Sequence, residues 1–228
     1  MPSFEDKEFG KVVVRRSARG RSMKASIAPT GELRISLPSY VPIFMAKRMV
    51  TSSRADIRKL FATRPKLDIH DGMSIGKSHS LHIRNGIAYS LKRNGQQLVL
   101  TVTNENELLS PSVIEDVRTV IILALRKEAK AHLPRRIEHL AQTNGFSYTS
   151  LRFTHASSRW GSCNQHKALS LNIALMNLPF ELIDYVLIHE LAHTKHMNHS
   201  KDFWDEVARV DANYKTHRRL LKDYSPHV

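Results

Sequence analysis

Two histidines four positions apart, with a glutamate directly after the first, carry the clearest chemistry in this chain: His189-Glu190-Leu191-Ala192-His193. A further histidine, His199, follows after five intervening residues. On a helix, positions i and i+4 lie about one turn apart on the same face, so His189 and His193 can offer two imidazoles to one ion. Zinc suits such ligands, and a catalytic zinc keeps one position open for water. Glu190 is offset by about 100° around the helix, beside that ion, where it can accept the proton of the attacking water. The apolar run Tyr185-Val186-Leu187-Ile188 leads into the motif and would seat its helix in a core.

The third ligand is not settled by helix geometry alone. Residues 194–198 leave room for a turn that swings His199 back toward the pair. His196 would lie about 10 Å along the axis from His189 if the helix simply continued, an awkward distance for a shared ion. An acidic residue further on, Asp205 or Glu206, is the remaining alternative.

The elements that must position these groups are legible as a change of pattern. The first half reads as strands: Val12-Val13-Val14, Ser26-Ile27-Ala28, and Glu32 to Leu37, which alternates with period two before Pro38. One loose helix is expected between Val41 and Phe61, ended before Pro65. Strands follow at Leu81-His82-Ile83, Ile87 to Leu91 and Leu98 to Val102, with Asn85-Gly86 and Asn94-Gly95 as hairpin turns. Ser110-Pro111 starts a long helix, Ser110 capping it and Pro111 at its first position. Pro134 should break or kink it before a second piece ending at Asn144-Gly145. A strand pair is expected at Tyr148 to Thr154 and Ala168 to Ile173. Then comes the motif helix, from near Pro179 to before His199, and a following helix that Ser200 can cap, with the stripe Phe203, Trp204, Val207, Val210. The reading is α+β: a strand-rich N-terminal region over 1–105 with one helix, then a metal-hydrolase domain over 106–228, with no internal repeat.

Bulk properties exclude other classes. The longest apolar run, Val120 to Leu125, is far too short to span a bilayer, so no membrane partner is expected. The polar, acidic start is no secretory signal, and Cys163 is the only cysteine, which rules out an internal disulfide; a cytoplasmic location is expected. The net charge of +14 favours a polyanion such as DNA or a nucleotide. Cations cluster at Lys11 to Lys24, Lys47 to Lys66, Arg126 to Arg136 and Lys215 to Lys222. No aromatic residues interleave with them along the sequence in the way a single-strand groove would use. Gly72 to Ser78 mimics a phosphate loop, but only three residues separate its glycines where that loop needs four, and a β-turn is the better reading.

Several short motifs in fixed order resemble the YgjP-like, SprT-related metallopeptidases: Ser158-Arg159-Trp160-Gly161-Ser162-Cys163, Leu169-Ser170-Leu171-Asn172, Leu178-Pro179, Asp184-Tyr185-Val186, the H-E-L-A-H segment, and Asn198-His199-Ser200 with Phe203-Trp204. The dense match runs from about Arg152 to Trp204. The resemblance implies a zincin-like α+β domain, His189, His193 and His199 as zinc ligands, Glu190 as catalytic base, and the Trp160-Gly161-Ser162 segment beside the cleft. The metzincin pattern fails, because His196 stands where it needs glycine and no methionine follows Met197. Arg159, near such a site, could stabilise developing negative charge or make a structural ion pair. Cys163, His155 and His166 default to packed or surface roles. The leading expectation is a zinc metallopeptidase acting on a peptide or protein. The alternative is a metal-dependent nucleoside triphosphate pyrophosphohydrolase using the same site, and a metal-stabilised nucleic-acid-binding module ranks third.

Overall fold

A computed structural model describes residues 2–18, 20–28, 31–62 and 67–227. The chain divides into two compact units, Met1–Leu67 and Asp68–Val228. The expected turn at Pro29-Thr30 and the cations Arg19, Arg64 and Lys66 lie outside the described residues.

In the first unit, strands β1 (Ser3–Asp6), β2 (Gly10–Ser17), β3 (Lys24–Ile27) and β4 (Leu33–Pro38) form one sheet in the order β1-β2-β4-β3. The inner strands β2 and β4 are parallel, and the outer pairs are antiparallel. Period-two alternation sends Val12, Val14, Leu33, Ile35 and Leu37 to one face. There they pack with Ala46, Val50 and Ile57 of two helices, α1 (Phe44–Ser52) and α2 (Arg54–Ala62). The one expected helix is thus two. Ser53 leaves helical geometry at φ −112°, ψ 26°, and its amide closes α1 on the Met49 carbonyl.

The second unit opens with β5 (Met73–Ile75), β6 (His79–Asn85), β7 (Ser90–Asn94) and β8 (Gln97–Val102). Their order is β5-β6-β8-β7, with the inner pair β6/β8 parallel and both outer pairs antiparallel. This is the topology of the first sheet again, an internal repeat of architecture that the sequence reading missed. Only the buried alternation is shared (Val12 and Leu33 in one sheet, Leu81 and Leu98 in the other), and hydrophobic identity is too degenerate to register as a repeat. The same topology corrects one turn. Asn94-Gly95 does close a hairpin, with Gly95 at φ +62°. Asn85-Gly86 does not, because β6 pairs with β8 and the chain crosses over; Ile87 is fully exposed and the strand starts only at Ser90.

The domain boundary expected at 105/106 differs from the compact units, which divide at Leu67/Asp68. The reason is the β5–β6 turn. Glu128, buried in helix α3 (Pro111–Asn144), accepts from the amides of Lys77 (2.6 Å) and Ser78 (2.9 Å), the Ser78 hydroxyl (2.7 Å) and His79 Nδ1 (2.6 Å). Burial alone would raise its carboxyl, but these donors hold it below its ordinary value. The phosphate-loop mimic is thus a hairpin turn whose anion is an internal carboxylate.

Helix α3 continues through Pro134 without the break that was one of the two expectations there, and Leu133, Ile137, Leu140 and Ala141 stay buried on either side of it. It ends at Gly145 in the left-handed region, φ +68°, with the Phe146 amide bonded back to the Ala141 carbonyl. Ser110 precedes Pro111 as expected but makes no side-chain cap bond. A third sheet follows from β9 (Ser150–Thr154), β10 (Gly161–Cys163) and β11 (Ala168–Asn172), in the order β10-β11-β9. Strands β9 and β11 are parallel, and β10 is an edge. Helices α4 (Phe180–Ala192), α5 (Lys201–Val210) and α6 (Tyr214–Leu220) complete the unit. Among the described residues, no helix is long and apolar enough to cross a membrane.

Candidate metal centre

Helix α4 buries Leu182, Ile183, Tyr185, Val186, Leu187, Ile188, Leu191 and Ala192, so its frame is fixed nearly all round. His189 and Glu190 sit in its last turn, and His193 is its C-cap. The chain then turns through bonds from Thr194 N to Leu191 O and from Lys195 N and His196 N to Ala192 O. That turn returns His199 to the helix. Its Nε2 lies 3.2 Å from His189 Nε2, and the ligand atoms of His189, His193 and His199 all fall within 4.8 Å of one another.

The donor set fits a metal ion on three counts. Ligands of a tetrahedral zinc at about 2.0–2.1 Å stand about 3.3 Å apart, close to the His189–His199 separation. His193 Nδ1 lies 3.0 Å from the His196 carbonyl; a carbonyl only accepts, so Nδ1 carries the proton and Nε2 presents its lone pair. Burial, with the neighbouring His193, His199 and Arg218, pushes His189 down to about 3, and burial lowers His193 as well. Both rings are held neutral, the form that binds a metal. His196 therefore contributes a carbonyl that orients His193 and is not a member of the cluster. Glu206, the other alternative, is engaged by Lys195 (2.6 Å) and Arg209 (2.8 Å), and Asp205 lies outside the cluster.

Below the three imidazoles lies Phe203 of α5, fully buried, with ring centroids 4.5–5.0 Å from each of them. Trp204 stacks against His199 at 5.7 Å and meets Phe203 edge to face at 5.0 Å. This aromatic floor limits the rotamers of the ligand set.

Glu190 is 5% exposed, and its Oε2 has no hydrogen-bond partner. Burial pushes its carboxyl up to about 8, while the charge of Arg159 pulls it down. Arg159, itself exposed, lies in the loop before β10. Asn172 organises that loop: its buried amide donates to the carbonyls of Ala156 (2.7 Å) and Arg159 (2.9 Å), and its backbone N–H donates to the Trp160 carbonyl. Gly161 then brings β10 against the glutamate. A methyl group there would lie 2.6 Å from Oε1 and 2.7 Å from Cγ, so only glycine lets strand and carboxylate approach this closely. Cys163, two residues on, has its thiol raised by burial and donates to the Asn164 carbonyl, which makes it a poor nucleophile. Among the described residues, His155 and His166 do not join the cluster.

The sequence reading missed a second group, on α6. His217 Nδ1 meets Asp211 at 2.7 Å, its ring lies 6.3 Å from that of Tyr185, and Arg218 lies over Trp204 at 4.6 Å. Tyr185 in turn lies 6.1 Å from His189. No spacing marks these residues in the sequence; Arg218 was legible only as part of a cationic cluster.

With helix, ligand set and glutamate in place, the comparison with known proteins is direct. The chain belongs to the family described as YgjP-like, metallopeptidase domain, whose model matches residues 21–224. Membership carries a metal cofactor with it. Among solved structures, the metallopeptidase zymogen of Pyrococcus abyssi abylysin is 28% identical over 40% of this chain and 92% of its own, with a TM-score of 0.36. The metallopeptidase zymogen of Methanocaldococcus jannaschii jannalysin is 18% identical over 40% of this chain and 93% of its own, also with a TM-score of 0.36. No curated protein sequence matches the chain.

Proposed function

We propose that this chain is a zinc-dependent peptide hydrolase of the zincin type. His189, His193 and His199 hold the ion, Glu190 acts as general base, and Arg159 gives electrostatic support. The observation that carries the reading is the convergence of three imidazoles beside a buried carboxylate oxygen with no hydrogen-bond partner. When bound, the ion supplies Lewis acidity, polarising a carbonyl and making water a better nucleophile near neutral pH.

The chain's own groups do the rest. Glu190 Oε2 has no competing donor, and the positive charge of a bound ion would offset the burial that raises its carboxyl; ionised in that way, it takes the proton of the attacking water and later passes it to the departing amine. The Arg159 guanidinium offsets negative charge that develops as the carbonyl is attacked. Strand β10 leaves one edge of its sheet unpaired among the described residues and passes Glu190 at Gly161. An extended peptide can add to such an edge through main-chain hydrogen bonds. This feature favours a peptide over the nucleoside triphosphate alternative, for which a strand edge offers nothing.

The test is Glu190→Gln in metal-loaded protein, assayed side by side on unfolded protein substrates and nucleoside triphosphates. Peptide cleavage should fall by at least about 100-fold, the lower end of what general base catalysis contributes, with metal content unchanged. Glu190-dependent triphosphate cleavage beside no proteolysis would replace the peptidase reading.

A further inference from the structure

The charge of this chain is not spread evenly. Residues 1–67 hold fifteen Lys or Arg against five Asp or Glu, a net +10 of the +14 total. Most of the acids are consumed internally: Asp6 and Glu8 by Arg54, Glu8 again by Arg58, and Glu32 by Lys11. Helices α1 and α2 cover the apolar face of the first sheet, so its other face carries the outward-pointing residues of β2, β3 and β4. Register places Arg15, Ser36 and Lys24 in one cross-strand row, and Val13, Arg34 and Ser26 in the next. No described acid pairs with Arg15, Arg21 or Lys24.

Aromatic residues absent from the linear pattern are supplied by the fold. The C-terminal ends of β2 and β4 and the start of β3 share one end of the sheet, because β2 and β4 are parallel and β3 is antiparallel to β4. Arg16 caps the carbonyls of Ser39 (2.5 Å) and Val41 (2.7 Å) there, pinning the turn that carries Tyr40. Tyr40 is 74% exposed, and its hydroxyl donates to the Arg21 carbonyl at 3.3 Å, which ties the ring to the basic β2–β3 turn. Phe44, 63% exposed, opens α1 four residues after Tyr40, with Lys47 and Arg48 following in the next turn of that helix. An exposed ring fixed among unpaired cations is the arrangement that binds single strands, with stacking for the bases and arginine for the phosphates.

We infer that the first unit binds single-stranded nucleic acid across the Arg15, Arg21, Lys24 and Tyr40 end of its sheet. An anionic membrane is the lesser fit: among the described residues of this unit, Tyr40, Ile43, Phe44 and, least of them, Leu60 at 38% are the exposed large apolar residues, little area for interfacial anchoring. The inference is independent of the peptidase reading, because its readout is binding by full-length protein.

The experiment measures fluorescence anisotropy of labelled oligo(U), oligo(dT) and a duplex of equal length across a salt series, with sedimentation on phosphatidylserine vesicles alongside. Both single strands should bind more tightly than the duplex, and the tighter of the two names RNA or DNA as the source. Replacing Arg15, Arg21 and Lys24 together by Gln should flatten the log–log salt slope by about 2, at about 0.7 per phosphate contact on single strands. Tyr40→Ala should weaken binding about five-fold or more, while Tyr40→Phe keeps it. Phe44→Ala serves as the second probe if Tyr40→Ala melts early. Duplex binding as tight as single-strand binding, affinity indifferent to both aromatic changes, vesicle binding alone, or no saturable binding at low salt would each overturn the inference.

Discussion

Gly161→Ala is the sharpest probe of the site, because the three atoms nearest the added methyl group all belong to one neighbour, Glu190. The added Cβ would sit 2.6, 2.7 and 2.8 Å from Oε1, Cγ and Cδ of Glu190, against an ordinary closest approach of about 3.4–4 Å. Something must move by close to 1 Å. The strand is held by its pairing with β11 and the helix by its core, so the carboxylate moves. A displacement of that size in a catalytic group costs on the order of 100-fold in rate, and overpacking costs about 1–3 kcal/mol in stability. In a chain of this size, that lowers the melting temperature by about 2–12 °C. None of the three nearest atoms belongs to a ligand imidazole, so metal content should stay at the wild-type value. The assay is kcat on a peptide substrate with metal analysis and thermal melting of the same preparation, repeated in a Glu190→Ala background. Removing the carboxylate removes the clash, so Gly161→Ala should cost little stability there, and the cycle should show coupling. Wild-type kcat and melting temperature in Gly161→Ala, or an equal stability loss in both backgrounds, would refute the steric account.

Metal analysis should find about one zinc per chain, lost in His189→Ala, His193→Ala and His199→Ala but retained in His196→Ala; metal loss in the last variant with retention in His199→Ala would reverse the third-ligand assignment. Glu128→Ala strands four donors around a buried site and should destabilise by at least about 3 kcal/mol, read from denaturant unfolding of the isolated variant. Glu206, drawn down to about 2 first by Arg209 and then by Lys195, contributes stability above its ordinary value of 4.5 that is lost as pH falls toward 2. The melting-temperature gap between wild type and Glu206→Gln should therefore close across that window, and a gap unchanged at the acid end would count against the ion-pair assignment.

The helix with its two histidines was legible because two requirements coincide in one short stretch: apolar residues to bury the helix and a four-residue spacing to aim the imidazoles. His199 was legible only as one option, since a turn is needed and nothing local dictates its direction. What selects it is the bond set from Thr194, Lys195 and His196 back to Leu191 and Ala192. Gly161 and Asn172 stood inside recognisable motifs, yet their work is tertiary. One admits a carboxylate from another element and the other ties a loop through its side chain, and neither leaves a periodic trace.

Where the sequence misled, the local chemistry was read correctly and its partner was not. Gly76-Lys77-Ser78 does form an anion-binding turn, with Gly76 at φ +62° and two amides directed at one carboxylate. The anion is Glu128, fifty positions along, on a face of α3 that no short window could connect to the turn. The same holds for the basic N-terminal region. Tyr40 is not interleaved with Arg15 and Arg21 in the sequence; a parallel pairing of β2 with β4 places it with them at one end of the sheet. Charge and aromaticity could be counted residue by residue, but their juxtaposition depends on strand order, and strand order emerges only when every apolar face has found cover.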